Sequence, residues 1–199
     1  MIISVLVFVI VIVAHEFAHG YVAYRLGDTT ARDQGRLTLN PLAHADPVGT
    51  VLLPVLLIIS HSPVVFGWAK PVPVNPYNFA NPRKGMLLTS LAGPAANFVL
   101  ALFFAGIFKL GIFPVYSTGW TFLLAGVMIS LILGIFNLVP IPPLDGANII
   151  MAIIPKKAAA QYVRMQKYGF IILIALLYFG LFDHVILPLV RIFTHALLG

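Results

Sequence analysis

The stretch "MIISVLVFVIVIVAHEFAHGYVAYR", residues 1–25, decides the fold. No charged side chain precedes Glu16, and the first cation is Arg25. About 20 apolar residues are needed for a helix to cross the ~30 Å hydrocarbon core of a bilayer, and this stretch has that length. It lacks the basic N-terminal region of a cleaved secretory signal. The sequence therefore predicts a permanent membrane-spanning helix that carries an ionisable cluster inside it.

The composition of the whole chain extends this prediction. Of its 199 residues, 60% are hydrophobic and 9% are charged, whereas a soluble domain carries about 25% charged residues. We expect an integral membrane protein with one domain over residues 1–199. The chain has a net charge of +6, and its Lys and Arg residues lie at the edges of apolar runs. This pattern indicates contact with membrane lipids and not with nucleic acid. The chain has no cysteine, which excludes disulfides, thiolate metal sites and a cysteine nucleophile.

Four apolar segments are long enough to cross a membrane: about 1–24, 86–112, 119–139 and 168–187. Cations cluster after the first segment, before the second and between the third and fourth. Because cytoplasmic loops are enriched in Lys and Arg, we expect the N-terminus outside and residues 25–85 and 140–167 in the cytoplasm. The predicted fold class is an all-α polytopic membrane protein with about four to five transmembrane helices and an active site near the cytoplasmic face.

Residues 48–66 do not fit a complete crossing, because both flanks are predicted to be cytoplasmic. Pro54 and Pro63 interrupt the apolar run, so we expect a re-entrant or interfacial hairpin. On either side, "GRLTLNP" (35–41) and "KPVPVNP" (70–76) alternate in an extended pattern. These two segments are open to two interpretations, edge strands that tolerate proline or a proline-rich loop.

The chemistry is concentrated in "HEFAH", residues 15–19. Residues i and i+4 of a helix lie on one face, so His15 and His19 can bind a single ion. Glu16 can then take a proton from a water at the open coordination position. The alternative is a polar patch that packs one helix against another. Since ionisable groups within a membrane span are costly and are functional by default, we favour the metal site.

A catalytic zinc site usually has three protein ligands. Glu16 is the only glutamate, so a distant glutamate ligand is excluded, and Val22 and Arg25 replace the glycine and histidine of the longer zincin motif. The remaining candidates are His44, His61, His184, His195, Asp28, Asp33, Asp46, Asp145 and Asp183. Asp145 stands out because it follows a proline-broken turn after the third span, where Gly146 permits close backbone approach. Its alternative role is a helix N-cap.

In order along the chain, "HEFAH" (15–19), "AGPAAN" (92–97) and "NLVPIPPLDG" (137–146) resemble the site-2 protease family of intramembrane zinc metalloproteases, peptidase family M50. The loop sequences look like the compact bacterial and archaeal branch, without PDZ or CBS domains, which implies a prokaryotic cell membrane. The resemblance implies one Zn²⁺ held by His15, His19 and Asp145, with Glu16 as general base. It further implies that Asn137 binds substrate or the oxyanion. Gly93 and Asn97 match an element that packs near the active site, and we also give Asn97 a secondary substrate contact.

The function that this resemblance implies is hydrolysis of a peptide bond in or next to a transmembrane segment of a membrane-protein substrate. Lys70 to Asn75 could hold the unwound substrate by strand addition. The alternatives are a metal transporter that uses the same histidines, an inactive membrane adaptor, and an unrelated membrane protease. The substrate's identity and the oligomeric state are not encoded in any recognisable motif.

Overall fold

The structure is a computed structural model that describes residues 2–52, 55, 56, 59, 60 and 69–199. The described part is helical and contains no strand. Its α-helices are α1 (Ile2–Arg25), α2 (Thr30–Asp33), α3 (Pro82–Lys109), α4 (Thr118–Asn137), α5 (Asp145–Ile153), α6 (Lys156–Met165), α7 (Gly169–Tyr178) and α8 (Leu187–Leu198). Short 3-10 turns cover Pro41–His44, Pro76–Asn78 and Gln166–Tyr168, and π-turns cover Pro47–Leu52 and Phe182–Ile186.

Three of these helices, α1, α3 and α4, are long and apolar enough to span a membrane. They coincide closely with the predicted spans 1–24, 86–112 and 119–139. In hydrocarbon the backbone must satisfy its own hydrogen bonds, which a continuous helix does. The ends are marked by side-chain caps: Asn81 accepts from Lys84 N and Ser117 accepts from Trp120 N. The helix α1 ends where Gly27 adopts a φ of +103°, a conformation that glycine takes without strain.

The core of the molecule lies among the three spanning helices, joined by α8. Apolar side chains from all four helices are buried together in it: Val7, Val11, Ala101, Phe104, Ala105, Leu123, Val127, Leu131, Ile135 and Val190. On α1 this core occupies the N-terminal half, before the histidines begin. The C-terminal half of the same helix is therefore free to pack against other groups.

The fourth predicted span, 168–187, is not one continuous helix. The helix α7 ends at Tyr178, and Gly180 has a φ of +89°, which terminates a helix because few other residues adopt that conformation. A π-turn follows, and the helical segments on either side of the break are bent by 68°. The segment is therefore a broken pair of helices. In the described part, three helices qualify as spans, or four when this pair is counted as one span.

The predicted re-entrant segment, 48–66, lies largely outside the described residues, as does His61. The start of that segment, Pro47–Leu52, forms a π-turn.

The two extended segments contain no strand in the described part of the chain. Residues 70–75 form a loop, as the second interpretation predicts. The backbone N–H groups of residues 70–75 explain why no strand forms, because those that are bonded donate to groups outside any sheet. The amide of Lys70 donates to the His44 carbonyl, that of Val72 to the Glu16 carboxylate, and that of Asn75 to the Asp28 carboxylate. Pro71 and Pro73 have no N–H to offer a neighbouring strand.

Candidate metal centre

Three side chains from two distant parts of the chain meet at one point. The Nε2 atoms of His15 and His19 are 2.9 Å apart. The Oδ2 atom of Asp145 lies 3.1 Å from the first and 3.2 Å from the second. Ligand atoms held about 2.0–2.2 Å from a tetrahedral zinc ion lie roughly 3.4 Å from one another. The three side chains are therefore spaced as one divalent ion requires, and they form the only such group among the described residues.

Local sequence explains how each ligand reaches this point. The two histidines lie one turn apart on the same face of α1. Asp145 is the first residue of α5, and Leu144 occupies the N-cap position without a side-chain bond. The N-cap alternative for Asp145 is therefore not what the structure shows. A Cβ at Gly146 would overlap the carbonyl oxygens of Leu138 and Val139, which confirms that this turn requires close backbone approach.

The second ring nitrogen of His19 is fixed by the backbone of α3. Its Nδ1 atom lies 2.7 Å from the carbonyl oxygen of Thr89, in a buried hydrogen bond. Because a carbonyl only accepts, Nδ1 must carry the proton, and Nε2 is left with a lone pair for a metal. The sequence alone does not single out Thr89. One feature of the sequence nevertheless indicates this residue: it precedes Gly93 and Asn97 at intervals of one helical turn, so the three residues lie on one face of α3.

The second ring nitrogen of His15 faces Asn97. The side chain of Asn97 is fully buried. Its Nδ2 atom lies 3.1 Å from His15 Nδ1, while its Oδ1 atom has no partner among the described residues. The oxygen and nitrogen of an amide are assigned from the hydrogen-bond network. With Oδ1 turned to His15, the amide accepts from Nδ1–H and Nε2 keeps its lone pair. This arrangement fits a metal, and it gives the buried oxygen a partner.

Gly93 closes the site from the side of α3. A Cβ at this position would lie 2.5 Å from His15 Cε1 and 2.6 Å from His15 Nε2, with His19 Nε2 nearer still. No side chain fits there, since carbon atoms in contact lie about 3.5–4.0 Å apart. The small residues of α3 thus bring its backbone against the face of α1 that carries the two histidines, as predicted for "AGPAAN".

Glu16 lies beside the cluster and is half-buried. One carboxylate oxygen, Oε2, accepts a hydrogen bond of 2.8 Å from the amide of Val72. No hydrogen bond engages Oε1 within the part of the chain that the structure describes. Glu16 therefore has one anchored oxygen and one available to a proton donor.

The other predicted site residue, Asn137, is at the end of α4. Its side-chain amide donates to the carbonyl of Leu133 on the same helix, at 3.0 Å. The described contacts do not join it to the cluster. Full burial of Asn97 behind His15 favours a role in orienting that histidine over the predicted substrate contact. Of the alternative third ligands, His44 donates to the Thr38 carbonyl, Asp28 binds a loop, and His184 bonds the Gly180 carbonyl.

Comparison with known proteins agrees with this geometry. Residues 114–180 match the family model described as Peptidase family M50. A Bacillus subtilis (strain 168) protein named "Putative zinc metalloprotease YwhC" is 42% identical over 186 residues, covering 89% of this chain and 80% of that protein. The chain belongs to peptidase family M50, the site-2 protease family. The predicted resemblance is thereby confirmed, and with its apolar helices this M50 member is an integral membrane protein.

Other M50 relatives are more distant. "Putative zinc metalloprotease Rip2" of Mycolicibacterium smegmatis (strain ATCC 700084 / mc(2)155) is 32% identical over 163 residues, covering 82% of this chain and 61% of that protein. "Zinc metalloprotease MJ0392" of Methanocaldococcus jannaschii is 31% identical over 119 residues, covering 57% of this chain and 34% of that protein. No solved structure matches the chain.

Proposed function

We propose that this M50 member is an intramembrane zinc metalloprotease that hydrolyses a peptide bond in or next to a transmembrane segment of a membrane-protein substrate. One observation carries the proposal. The donor atoms of His15, His19 and Asp145 converge within 3.2 Å, beside the only glutamate of the chain. The names of the relatives, which describe zinc metalloproteases, favour zinc as the ion.

The protein residues have separate roles in this mechanism. A zinc ion held by the three ligands would supply Lewis acidity and lower the pKa of water at the open position. Glu16 accepts the proton of the attacking water at Oε1 and delivers it to the nitrogen of the leaving amine. Thr89 and Asn97 hold the two imidazoles with Nε2 unprotonated. Asn137 would donate to the substrate carbonyl oxygen after its amide leaves the Leu133 carbonyl.

The site is buried at a definite level of the membrane. His15 lies roughly 20 Å along α1 from its first residue, Ile2, at about 1.5 Å per residue. With Arg25 at the cytoplasmic end, the ligands are on the cytoplasmic side of a ~30 Å hydrocarbon core. We therefore propose that substrates are cut near the cytoplasmic face of a prokaryotic cell membrane, with the N-terminus of the chain outside. Local unwinding of the substrate helix is needed to expose its carbonyl groups. Strand addition on residues 70–75 has little backbone to use, because the amides of Lys70, Val72 and Asn75 already donate within the protein and two prolines have none.

A metal transporter would need polar groups along a path through the whole bilayer. In the described structure, Val7 and Val11 are fully buried in an apolar core on the same helix as the ligands. This core lies on the side of the histidines where a transporter path would have to continue. The arrangement therefore favours the protease.

The direct test is Glu16→Gln in purified protein with a model transmembrane substrate. The substitution keeps the size of the side chain but removes the base, so we expect retained zinc and loss of cleavage by at least about 10²-fold. Wild-type protein with a metal chelator is the matched control and should also be inactive. Cleavage by Glu16→Gln at the wild-type rate would refute the mechanism. Zinc-loaded wild type that cleaves no membrane substrate would favour the adaptor alternative.

A further inference from the structure

A backbone amide holds the carboxylate of Glu16. The N–H of Val72 donates to Glu16 Oε2 at 2.8 Å, although the two residues are 56 positions apart. The side chain of Val72 lies over the next turn of α1, where a Cβ at Gly20 would be 3.1 Å from Val72 Cγ1. Val72 therefore covers the end of the "HEFAH" motif, with its backbone on Glu16 and its side chain on Gly20.

The loop that carries Val72 is anchored at its beginning by Arg36. The Nη2 atom of Arg36 donates to the carbonyls of Lys70, at 2.7 Å, and Pro71, at 3.3 Å. Arg36 is only 7% exposed, and no ion pair to it is present among the described residues. A buried guanidinium is costly unless its donors are satisfied. Arg36 Nη2 is satisfied by these two loop carbonyls, whereas Nε has no partner among the described residues, so the bonds to the loop are the ones this buried cation depends on.

The same loop is anchored at its end by Asp28. This fully buried carboxylate accepts from the amide of Asn75 at 2.7 Å and from the side chain of Asn78 at 2.8 Å. It also accepts from the amide and hydroxyl of Thr30. Burial raises the pKa of the Asp28 carboxyl, but the bonds from Thr30, Asn75 and Asn78 outweigh it and hold that pKa below its usual value. A charged carboxylate thus ties the loop to the end of α1.

We infer that the Val72 amide is the group that positions Glu16 for proton transfer, and that Arg36 and Asp28 are positioning residues that act through it. The inference rests on the proposed function and adds three residues to the mechanism. A glutamate has several rotatable bonds, and a general base must lie within about 2.6–3.2 Å of its proton donor. Anchoring Oε2 leaves Oε1 aimed at one place. Pro71 and Pro73 restrict the backbone on both sides of Val72, which keeps its N–H in place.

The chain offers a matched pair of substitutions. Val72→Pro removes the N–H while proline keeps the backbone extended. Val74→Pro makes the same change two residues later, where the N–H has no acceptor in the described part of the chain. Val72→Ala keeps the amide and shortens the buried side chain that lies over Gly20. Arg36→Lys and Asp28→Asn weaken the two anchors without substituting any residue of the loop. If Val72→Pro does not fold, these two variants test the inference in its place.

The carboxylate of Glu16 can be observed directly by vibrational spectroscopy, because Glu16 is the only glutamate. Protein labelled with δ-¹³C-glutamate should give one isotope-shifted antisymmetric carboxylate stretching band, and we expect it to shift in Val72→Pro but not in Val74→Pro or Val72→Ala. For cleavage of the model substrate, we expect Val72→Pro to lower kcat at least about tenfold with KM and zinc content unchanged. Arg36→Lys and Asp28→Asn should shift the band and kcat in the same direction by smaller amounts.

Three results separate the possibilities. If Val72→Pro matches Val74→Pro in both the band and kcat, the inference is wrong. A rise in KM with kcat unchanged would also overturn it, because the loop would then bind substrate and not position Glu16. If wild type cleaves no substrate, the proposed function fails, but the labelled band still decides whether the Val72 amide holds Glu16.

Discussion

The two halves of the spanning helices are packed in opposite ways. In the first half of α1, Val7 and Val11 are fully buried against large apolar side chains such as Phe104 and Leu131. One to three turns later on the same helix, the buried residues include His15 and His19, and the groups of α3 that meet them are small or polar: Thr89, Gly93 and Asn97. We call these regions the apolar half and the metal half.

The comparison shows what each half requires. The apolar half is held by the packing of interlocking side chains, where the volume of each group matters. The metal half contains side chains that would be costly in hydrocarbon if they were unpaired. There the backbones approach closely, and each imidazole has a hydrogen-bonding partner on α3. The helices α1 and α3 therefore pack through apolar side chains at one level and hold the metal ligands in position at another.

The largest expected effect comes from Gly93→Ala in the metal half. The added Cβ would lie 2.5 Å from His15 Cε1, so the imidazoles or α3 must move. We expect loss of bound zinc and of cleavage by at least about 10²-fold, measured by metal analysis and substrate turnover. The control is Gly106→Ala on the same helix, where a Cβ meets no atom within 4 Å. Equal zinc content in the two variants would contradict the close approach.

Asn97→Ala should have the next largest effect. It removes the acceptor for His15 Nδ1–H, and loss of such a partner typically lowers metal affinity about 10- to 100-fold. Competition with a chelator of known affinity measures this change. Asn97→Asp restores an acceptor and should recover part of the affinity. If Asn97 contacted substrate instead, Asn97→Ala would raise KM and leave zinc affinity unchanged.

A glycine in the apolar half gives the contrasting result. At Gly126 an added Cβ would lie 2.5 Å from the ring of Phe104. We expect Gly126→Ala to lower the free energy of unfolding by about 1–3 kcal/mol through overpacking, with zinc content unchanged. Thermal unfolding in detergent and metal analysis together check this. Zinc loss without destabilisation would show that the two halves are not independent.

The smallest effect is expected at Ser130, a buried polar residue of the apolar half. Its side chain is fully buried on α4, and its hydroxyl has no partner among the described residues. Ser130→Ala should therefore leave stability unchanged or raise it by up to about 1 kcal/mol. The residue to compare is Asn97, which is equally buried but forms a hydrogen bond with the predicted metal ligand His15. A large loss of stability at Ser130 would reveal a hydrogen bond that the structure lacks.

Much of this arrangement could be predicted from sequence because membrane helices follow simple rules. Length and hydropathy give α1, α3 and α4, and helical spacing places His15 and His19 on one face. Asp145 was identified because it follows a proline-broken turn at the matching end of a span. Gly180, which ends α7, was not recognised, since one glycine in an apolar run does not reveal its φ.

The loop contacts could not be predicted, because they join residues far apart in sequence. Arg36 received no role, and Asp28 was one of several candidates for the third ligand. Their partners are carbonyl and amide groups of residues 70–78, which side-chain patterns do not report. For the same reason the sequence of residues 70–75 does not distinguish strand from loop. The roles of Asn137 and Glu16 stay predictions.

The central claim is that α1 and the start of α5 together bind one metal ion, and metal content tests it most directly. Purified wild type and Asp145→Ala should be compared, with Asp46→Ala as a control, because Asp46 binds amides of its own loop. We expect about one zinc per chain in wild type and Asp46→Ala, and strongly reduced zinc in Asp145→Ala, as for loss of one of three ligands. Equal zinc in Asp145→Ala and wild type would contradict the account.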